Sequence, residues 1–192
     1  MKAKGHVETI DDFLGSTHIF AAVVEDIVQE NLVKQASEGK VTYPQFKLLR
    51  LVALSDTLSI GDVAAFLGIS NAAASKAVDR LVKKKLLQRT EFAQDRRAVR
   101  LSLTDAGSRM IQQYDDLKSR SLPKIFTSVS PAMLKSVAQV LDSLSLALLE
   151  RAPEKARATC LQCGIFFRER CVMRAGANRN CFYIEHRSEA KA

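Results

Sequence analysis

The stretch Ser59-Ile60-Gly61-Asp62-Val63-Ala64-Ala65-Phe66-Leu67-Gly68-Ile69-Ser70-Asn71-Ala72-Ala73-Ala74-Ser75-Lys76-Ala77-Val78-Asp79-Arg80-Leu81-Val82 holds two short helical patterns with a break between them. Ser59 and Asp62 have capping-box spacing, with Asp where Glu or Gln is usual, and Val63, Ala64, Phe66 and Leu67 follow as apolar helix positions. Gly68-Ile69-Ser70 interrupts the pattern, and a second helix is expected from Asn71 to about Lys84. Two short helices around a tight glycine-containing turn read as helix-turn-helix. In the second helix Val78, Leu81 and Val82 supply apolar contacts, while Ser75, Lys76, Asp79, Arg80 and Lys83 are left for the other face. Ala72, Ala73, Ala74 and Ala77 let its start approach a partner closely, which suits a recognition helix.

Working outward, Leu86–Glu91 and Ala98–Leu103 have strand-like patterning and are joined by Phe92-Ala93-Gln94-Asp95-Arg96-Arg97, so a hairpin with a basic tip is expected. Thr104 is placed to cap a helix through Met110, Ile111, Tyr114 and Leu117, which Pro123 is expected to interrupt. Ser130-Pro131 opens a last helix through Leu134, Val137, Val140, Leu141, Leu144 and Leu148, which Ala152-Pro153 ends. Upstream, Phe13 through Leu32 carry apolar residues at helical spacing, with Gly39 placed to stop the segment. Thr42-Tyr43-Pro44 then starts a mostly buried helix. The expected fold is mainly α with a small β-hairpin wing. Its divisions are an N-terminal helical region (1–42), a winged helix-turn-helix (43–103), C-terminal helices (104–151) and a four-cysteine segment (152–192).

At 192 residues, with 47% hydrophobic and 26% charged, the chain can bury a sizeable core. No run approaches eighteen uncharged apolar residues, so a membrane protein is not expected. The basic N-terminus runs into Glu8, Asp11 and Asp12 rather than an apolar stretch, which argues against secretion and for a cytoplasmic protein. The net charge of +8 is unevenly spread. Residues 71–100 hold nine basic and three acidic side chains, residues 151–192 nine and four, and the remainder is slightly acidic. The first concentration coincides with the helix-turn-helix and hairpin, and double-stranded DNA is the polyanion such a surface fits.

Ser70, Asn71 and Ser75 can reach base edges or phosphates from a helix start in the major groove, and Lys76, Arg80 and Lys83 can neutralise phosphates, Arg80 also being able to pair with guanine. Arg96 and Arg97 at the wing can enter a narrow minor groove, with Asp95 orienting one of them by a charge-assisted hydrogen bond. No Ser/His/Asp set and no phosphate-binding glycine loop is recognisable, so an enzyme is not expected.

The run Asp95-Arg96-Arg97-Ala98-Val99-Arg100-Leu101-Ser102-Leu103-Thr104-Asp105-Ala106-Gly107, following Ser75-Lys76-Ala77-Val78-Asp79-Arg80-Leu81-Val82, closely resembles the wing and recognition helix of MarR-type transcriptional regulators. The likeness covers roughly residues 10–150. It implies a homodimer in which the first helix and the last two pack across a two-fold axis and the winged helices bind a pseudo-palindromic operator. It also maps that family's wing arginines to Arg96 and Arg97 and its structural acid to Asp95. Lys85 departs from the pattern, standing where the family usually has glycine, so a left-handed turn there would be mildly strained.

All four cysteines, Cys160, Cys163, Cys171 and Cys181, fall within 22 residues in a C-x2-C-x7-C-x9-C spacing, and the preceding 159 residues contain none. That clustering points to one site. Four thiolates with one close pair and two more distant members suit an iron–sulfur cluster, most simply 4Fe-4S. Zinc is the alternative metal, although structural zinc sites often use two C-x2-C pairs. A metal-free thiol switch and cysteines without a joint role also remain open. Arg168, Arg170, Arg174 and Arg179 would offset the thiolate charge under any functional reading, and Phe166, Phe167, Phe182 and Tyr183 are expected to shield the centre or pack it on the final helix. His186 is a less convincing ligand, and His6 and His18 are remote in sequence.

The leading expectation is thus a dimeric DNA-binding regulator whose tail senses oxygen, redox state or iron. One alternative keeps the DNA binding, makes the tail a zinc knot and takes a small phenolic or aromatic molecule as the signal. Another is a thiol-redox or metal-handling protein carrying a winged helix incidentally.

Overall fold

The computed structural model describes residues 2–55, 58–92, 95–151, 163, 165–169, 171–176 and 181–185. Helix α1 (Lys2–Val23) continues through a π-helical segment (Val24–Asn31) into α2 (Leu32–Ala36). Then come α3 (Tyr43–Leu54), α4 (Ile60–Leu67), α5 (Asn71–Lys83), the antiparallel pair β1 (Leu87–Phe92) and β2 (Asp95–Leu103), α6 (Asp105–Ile125) and α7 (Pro131–Glu150). Two short helices, α8 (Val172–Gly176) and α9 (Phe182–Glu185), belong to the cysteine segment.

The helix starts lie where local chemistry puts them. Thr42 N–H donates to Gln45 Oε1 at 3.3 Å ahead of Pro44 in the first turn of α3. At α4, Ser59 N–H donates to Asp62 Oδ2 at 2.7 Å and Asp62 N–H returns to Ser59 Oγ at 3.1 Å, so the aspartate closes the capping box. Ser70, Thr104 and Ser130 cap α5, α6 and α7 in the same way through their hydroxyls.

Three expectations about elements need correction. The first helix is not uniformly α: the π segment adds a residue per turn, which rephases the apolar pattern. Downstream Val28, Leu32 and Val33 face the core, while upstream Phe13, Leu14, Ile19, Phe20 and Val23 stay exposed on the single chain. Pro123 does not interrupt α6, which runs two residues past it to Ile125, so the proline falls in the final turn and the helix ends just beyond it. Asp95, Arg96 and Arg97 lie within β2 rather than in a loop, with an irregularity in register between Glu91 and Phe92. Ala93 and Gln94, between the strands, lie outside the described residues.

The core gathers α3, α4, α5 and α6 around Phe46, Leu48, Leu49, Val63, Phe66, Val78 and Leu81. Fully buried Tyr114 joins α6 to the N-terminal helix: its ring lies 4.6 Å from that of Phe46, and its hydroxyl donates to Val28 O at 3.1 Å. Burial pushes its pKa up to about 12, so the hydroxyl stays a donor. Arg50 of α3 reaches Asp115 of α6 at 2.8 Å.

Helix α7, like the described residues of α1, buries none of its side chains, and Val137, Val140 and Leu148 are each more than half exposed. Against the expectation drawn from uncharged runs, its 20 residues are long and apolar enough to cross a membrane by length and composition. Lys135 and Asp142 lie within it and are too few to offset its apolar residues. The same composition suits a helix that packs against another protein surface.

The turn after α5 bears out the strain anticipated at Lys85, whose φ is 58°. Thr104 Oγ1 donates to Lys85 O at 2.6 Å, and Leu86 N–H donates to Leu81 O at 3.0 Å, so the neighbouring chain holds the turn. Lys85→Gly is expected to stabilise the fold by about 0.5–1 kcal/mol, because glycine adopts this conformation freely. A thermal melt that falls would show that the lysine makes a compensating contact.

Candidate nucleic-acid interface and cysteine segment

The turn between α4 and α5 is tight because Gly68 takes φ 67°, and Ser70 Oγ then accepts from Ala73 N–H at 3.3 Å. Ala74, Val78 and Leu81 anchor α5 in the core. That leaves Asn71, Lys76, Arg80 and Lys83 exposed, with Ser70 at the helix start also exposed and Ser75 half-buried. Lys76, Arg80 and Lys83 are spaced i, i+4, i+7, so their charges share one face. Of the anticipated contact residues, Lys76, Arg80 and Lys83 are brought onto one face, whereas Asn71 lies about 140° round the helix from Lys76 and Ser75 is half-buried. Asp95, Arg96 and Arg97 enter the hairpin through the backbone of β2.

Two charged groups in this surface have structural work. Asp79 Oδ1 pairs with Arg89 Nη2 at 2.8 Å, tying the recognition helix to β1, in keeping with an orienting role. Lys84, counted with the basic excess, instead donates to Lys40 O at 2.5 Å and Gln45 Oε1 at 2.9 Å. It braces the end of α5 against the cap of α3, a role no local sequence signal marks because the partners lie about forty residues away.

Beside α5, a cavity of about 600 Å³ opens between the π segment and the helix-turn-helix. Glu25, Glu30, Lys47 and Arg80 supply its charges, and Tyr43, Pro44, Leu67, Ile69 and Ala77 its apolar wall. Burial, then Glu25 and Cys163, push the Tyr43 hydroxyl up to about 12. Burial lowers the Lys47 ammonium, and the Cys163 thiolate opposes that shift.

Cys160 and His186 lie outside the described residues. Cys163, Cys171 and Cys181 are each half-buried. Among the described residues, no three His, Cys, Asp or Glu side chains form a group able to hold a metal ion. The charges of the three sulfurs are felt by common neighbours: Cys163 and Cys171 both favour the Arg168 cation, and Cys163 and Cys181 both raise Tyr183. The leading cause for Arg168 is its hydrogen bond to Asp142, which raises its pKa, and burial dominates at Tyr183, again upward.

The aromatic residues of this segment pack on α4 and on one another rather than on the final helix. Phe182 and Tyr183 are buried against Phe66 of α4, with ring centroids 5.3 Å and 5.4 Å away, and Phe167 stacks edge-on against Tyr183 at 5.3 Å. The final helix is met instead by Arg168, which forms a two-pronged pair with Asp142 at 2.9 Å and 2.7 Å, and by Gly176, packed against Leu146. Asp142 was overlooked in the sequence, although an acid within an apolar helix signals a partner.

A short two-helix reading unit followed by an antiparallel hairpin, flanked by long helices, defines a winged helix-turn-helix protein. Residues 40–98 match the MarR family. Over 114 residues the chain is 23% identical to the uncharacterized HTH-type transcriptional regulator YpoP of Bacillus subtilis, covering 59% of this chain and 81% of that protein. The structure of MarR family transcription regulator SP03579 superposes with a TM-score of 0.68 at 16% identity, covering 80% of this chain and 99% of that one. That of a mutant MarR from Escherichia coli, complexed with operator DNA, superposes with a TM-score of 0.53 at 19% identity, covering 70% and 96%. YpoP and SP03579 are both named as transcription regulators.

Proposed function

We propose that the chain is a DNA-binding transcription regulator that acts as a homodimer on a pseudo-palindromic operator. The exposed face of α5 carries this reading: Asn71, Lys76, Arg80 and Lys83 stand free of the core on a helix whose other side is anchored. The E. coli MarR structure with operator DNA, which shares the fold, supports it. Dimerisation follows from apolar surface left uncovered on one chain, chiefly Phe20 and Val23 of α1 and Met133, Val137 and Val140 of α7. Packing these faces across a two-fold axis removes them from water and places two recognition helices for one duplex. Such a protein works in the cytoplasm.

The test is a duplex-binding titration at two salt concentrations. Arg97→Ala is expected to weaken binding by about 1–3 kcal/mol without changing helix content, and unchanged affinity at moderate salt would remove the wing from the interface. Absence of salt-sensitive, sequence-selective binding by the wild type would favour a thiol-redox or metal-handling protein.

In this proposal Cys160, Cys163, Cys171 and Cys181 hold an iron–sulfur cluster, most simply 4Fe-4S, through which the regulator senses oxygen, redox state or iron. Three half-buried cysteines, of which Cys163 and Cys181 pack against the core, an aromatic shelter from Phe167 and Tyr183, and the Arg168 cation support this assignment. Bound there, the cluster would supply one-electron chemistry, while the chain's part is to hold it and limit access of water. Zinc is the alternative occupant. It would move the signal to a small phenolic or aromatic ligand, for which the cavity beside Tyr43, Leu67 and Ile69 has the apolar wall and Lys47 and Arg80 the cations. Anaerobic purification with a visible spectrum and iron, sulfide and zinc analysis separates the two. Visible absorption with matching iron and sulfide is expected; a colourless protein with stoichiometric zinc selects the alternative. Cys163→Ser is expected to abolish the metal while the winged helix stays folded, and full metal retention would show that the ligand set is different.

A further inference from the structure

We propose that the cysteine segment is a strap that holds the helix-turn-helix at a set position relative to α7, and so fixes the separation of the two recognition helices in the dimer. This rests on the dimeric DNA-binding reading and adds the route by which the segment acts on it. At one end, Ile165, Phe182 and Tyr183 are buried in the same core as α3 and α4, and two of their rings bear on Phe66, a residue that precedes the turn to α5. At the other end, Arg168 grips Asp142 with both nitrogens, and α8 lies so close to α7 that a Cβ on Gly176 would meet Leu146 Cδ1 at 2.8 Å.

Asp142, Leu146 and Leu149 fall at i, i+4 and i+7, one face of α7, and all are half-buried. The opposite apolar residues of α7 are those available to a second copy of the chain. Only three residues of chain advance separate Ile165 from Arg168, so the two anchor points are joined by at most about 10 Å of extended backbone. A link that short transmits displacement instead of absorbing it. The cysteines sit at its anchor points: Cys163 is two residues before Ile165, Cys181 immediately precedes Phe182, and Cys171 lies between Arg168 and α8. Any bonding of these sulfurs that re-spaces the segment moves α4 relative to α7, and α5 moves with α4 because Gly68 makes the turn between them tight.

The test uses the full chain with Arg168→Asp, Asp142→Arg and the double swap, none of which touches α5 or the wing. Two quantities are read: affinity for a duplex selected by the wild type from a random-sequence pool, and the inter-protomer distance between spin labels introduced as a noncanonical amino acid at exposed Ser108. Each single variant is expected to shift or broaden the distance distribution and to weaken binding about tenfold, the range of ordinary inter-site coupling, and the swap to restore both. Singles that leave distance and affinity unchanged overturn the strap, as does a swap that restores neither. Arg168→Gln, which loses the charge without reversing it, serves if a reversal lowers helix content, and the same criteria apply. A wild type that dimerises but selects no duplex defeats the DNA-binding reading while the distances still judge the strap. A monomeric wild type overturns both.

Discussion

Gly107→Ala is expected to lower the stability of the fold by about 3 kcal/mol or more, the upper end of what forced overpacking costs. Gly107 lies in the first turn of α6, and a Cβ there would overlap the carbonyl oxygen of Leu86, well inside van der Waals contact. That oxygen belongs to the backbone and is fixed by Thr104 N–H, which donates to it at 3.1 Å, while Thr104 Oγ1 bridges Lys85 O and Gly107 N–H. No side-chain rotation relieves the clash. The base of the wing and the start of α6 must separate, and the thermal midpoint is expected to drop by roughly 10 °C for a chain of this length. Gly176→Ala is the matched control, since its close neighbour is the end of the flexible Leu146 side chain. Equal midpoints for the two variants would mean that the junction at Leu86 yields more easily than its hydrogen bonds suggest.

Phe66→Ala should be comparably costly and more informative. The ring is fully buried, and its loss removes the surface that Phe182 and Tyr183 cover and over which Lys47 Nζ stands at 5.0 Å. Truncating a buried phenylalanine costs about 3–5 kcal/mol, a large part of the about 5–15 kcal/mol that holds a domain together. Beyond that loss, amides of residues 165–169 and 181–185 are expected to lose hydrogen-exchange protection, while those of α3 and α6 keep most of theirs. Phe66→Leu retains apolar volume and should keep the segment docked. Protection of the segment that survives Phe66→Ala would show that its hold on α7 alone keeps it in place.

Most of the reading unit was legible without coordinates. Ser59, Asp62, Gly68, Ser70, Thr104, Ser130 and Pro131 announce helix ends because caps and left-handed turns act over three or four residues, and those spacings are written in the chain. The exposed charges of α5 followed from helical periodicity and the apolar positions opposite them. The π segment was not legible: Phe20, Val23, Val24 and Ile27 fit an ordinary helix, and only the burial of Val28 and Leu32 in the core, with Tyr114 donating to the Val28 carbonyl, goes with the rephased one. Lys84 shows the same limit at a single residue, since it reads as one charge of a basic run and acts as a brace.

The order of elements, the helix that carries Lys76, Arg80 and Lys83, the hairpin after it and the concentration of thiols can all be read from the residues, because each rests on periodicity, capping or composition within a short window. That the cysteine segment lies against Phe66 and is pinned to Asp142 emerges only in the folded chain, across separations in sequence that no local pattern spans. Short segments carry too few turns to show which face is apolar. Their positions are set by the surface that longer elements leave uncovered, and that surface exists only once the chain has folded.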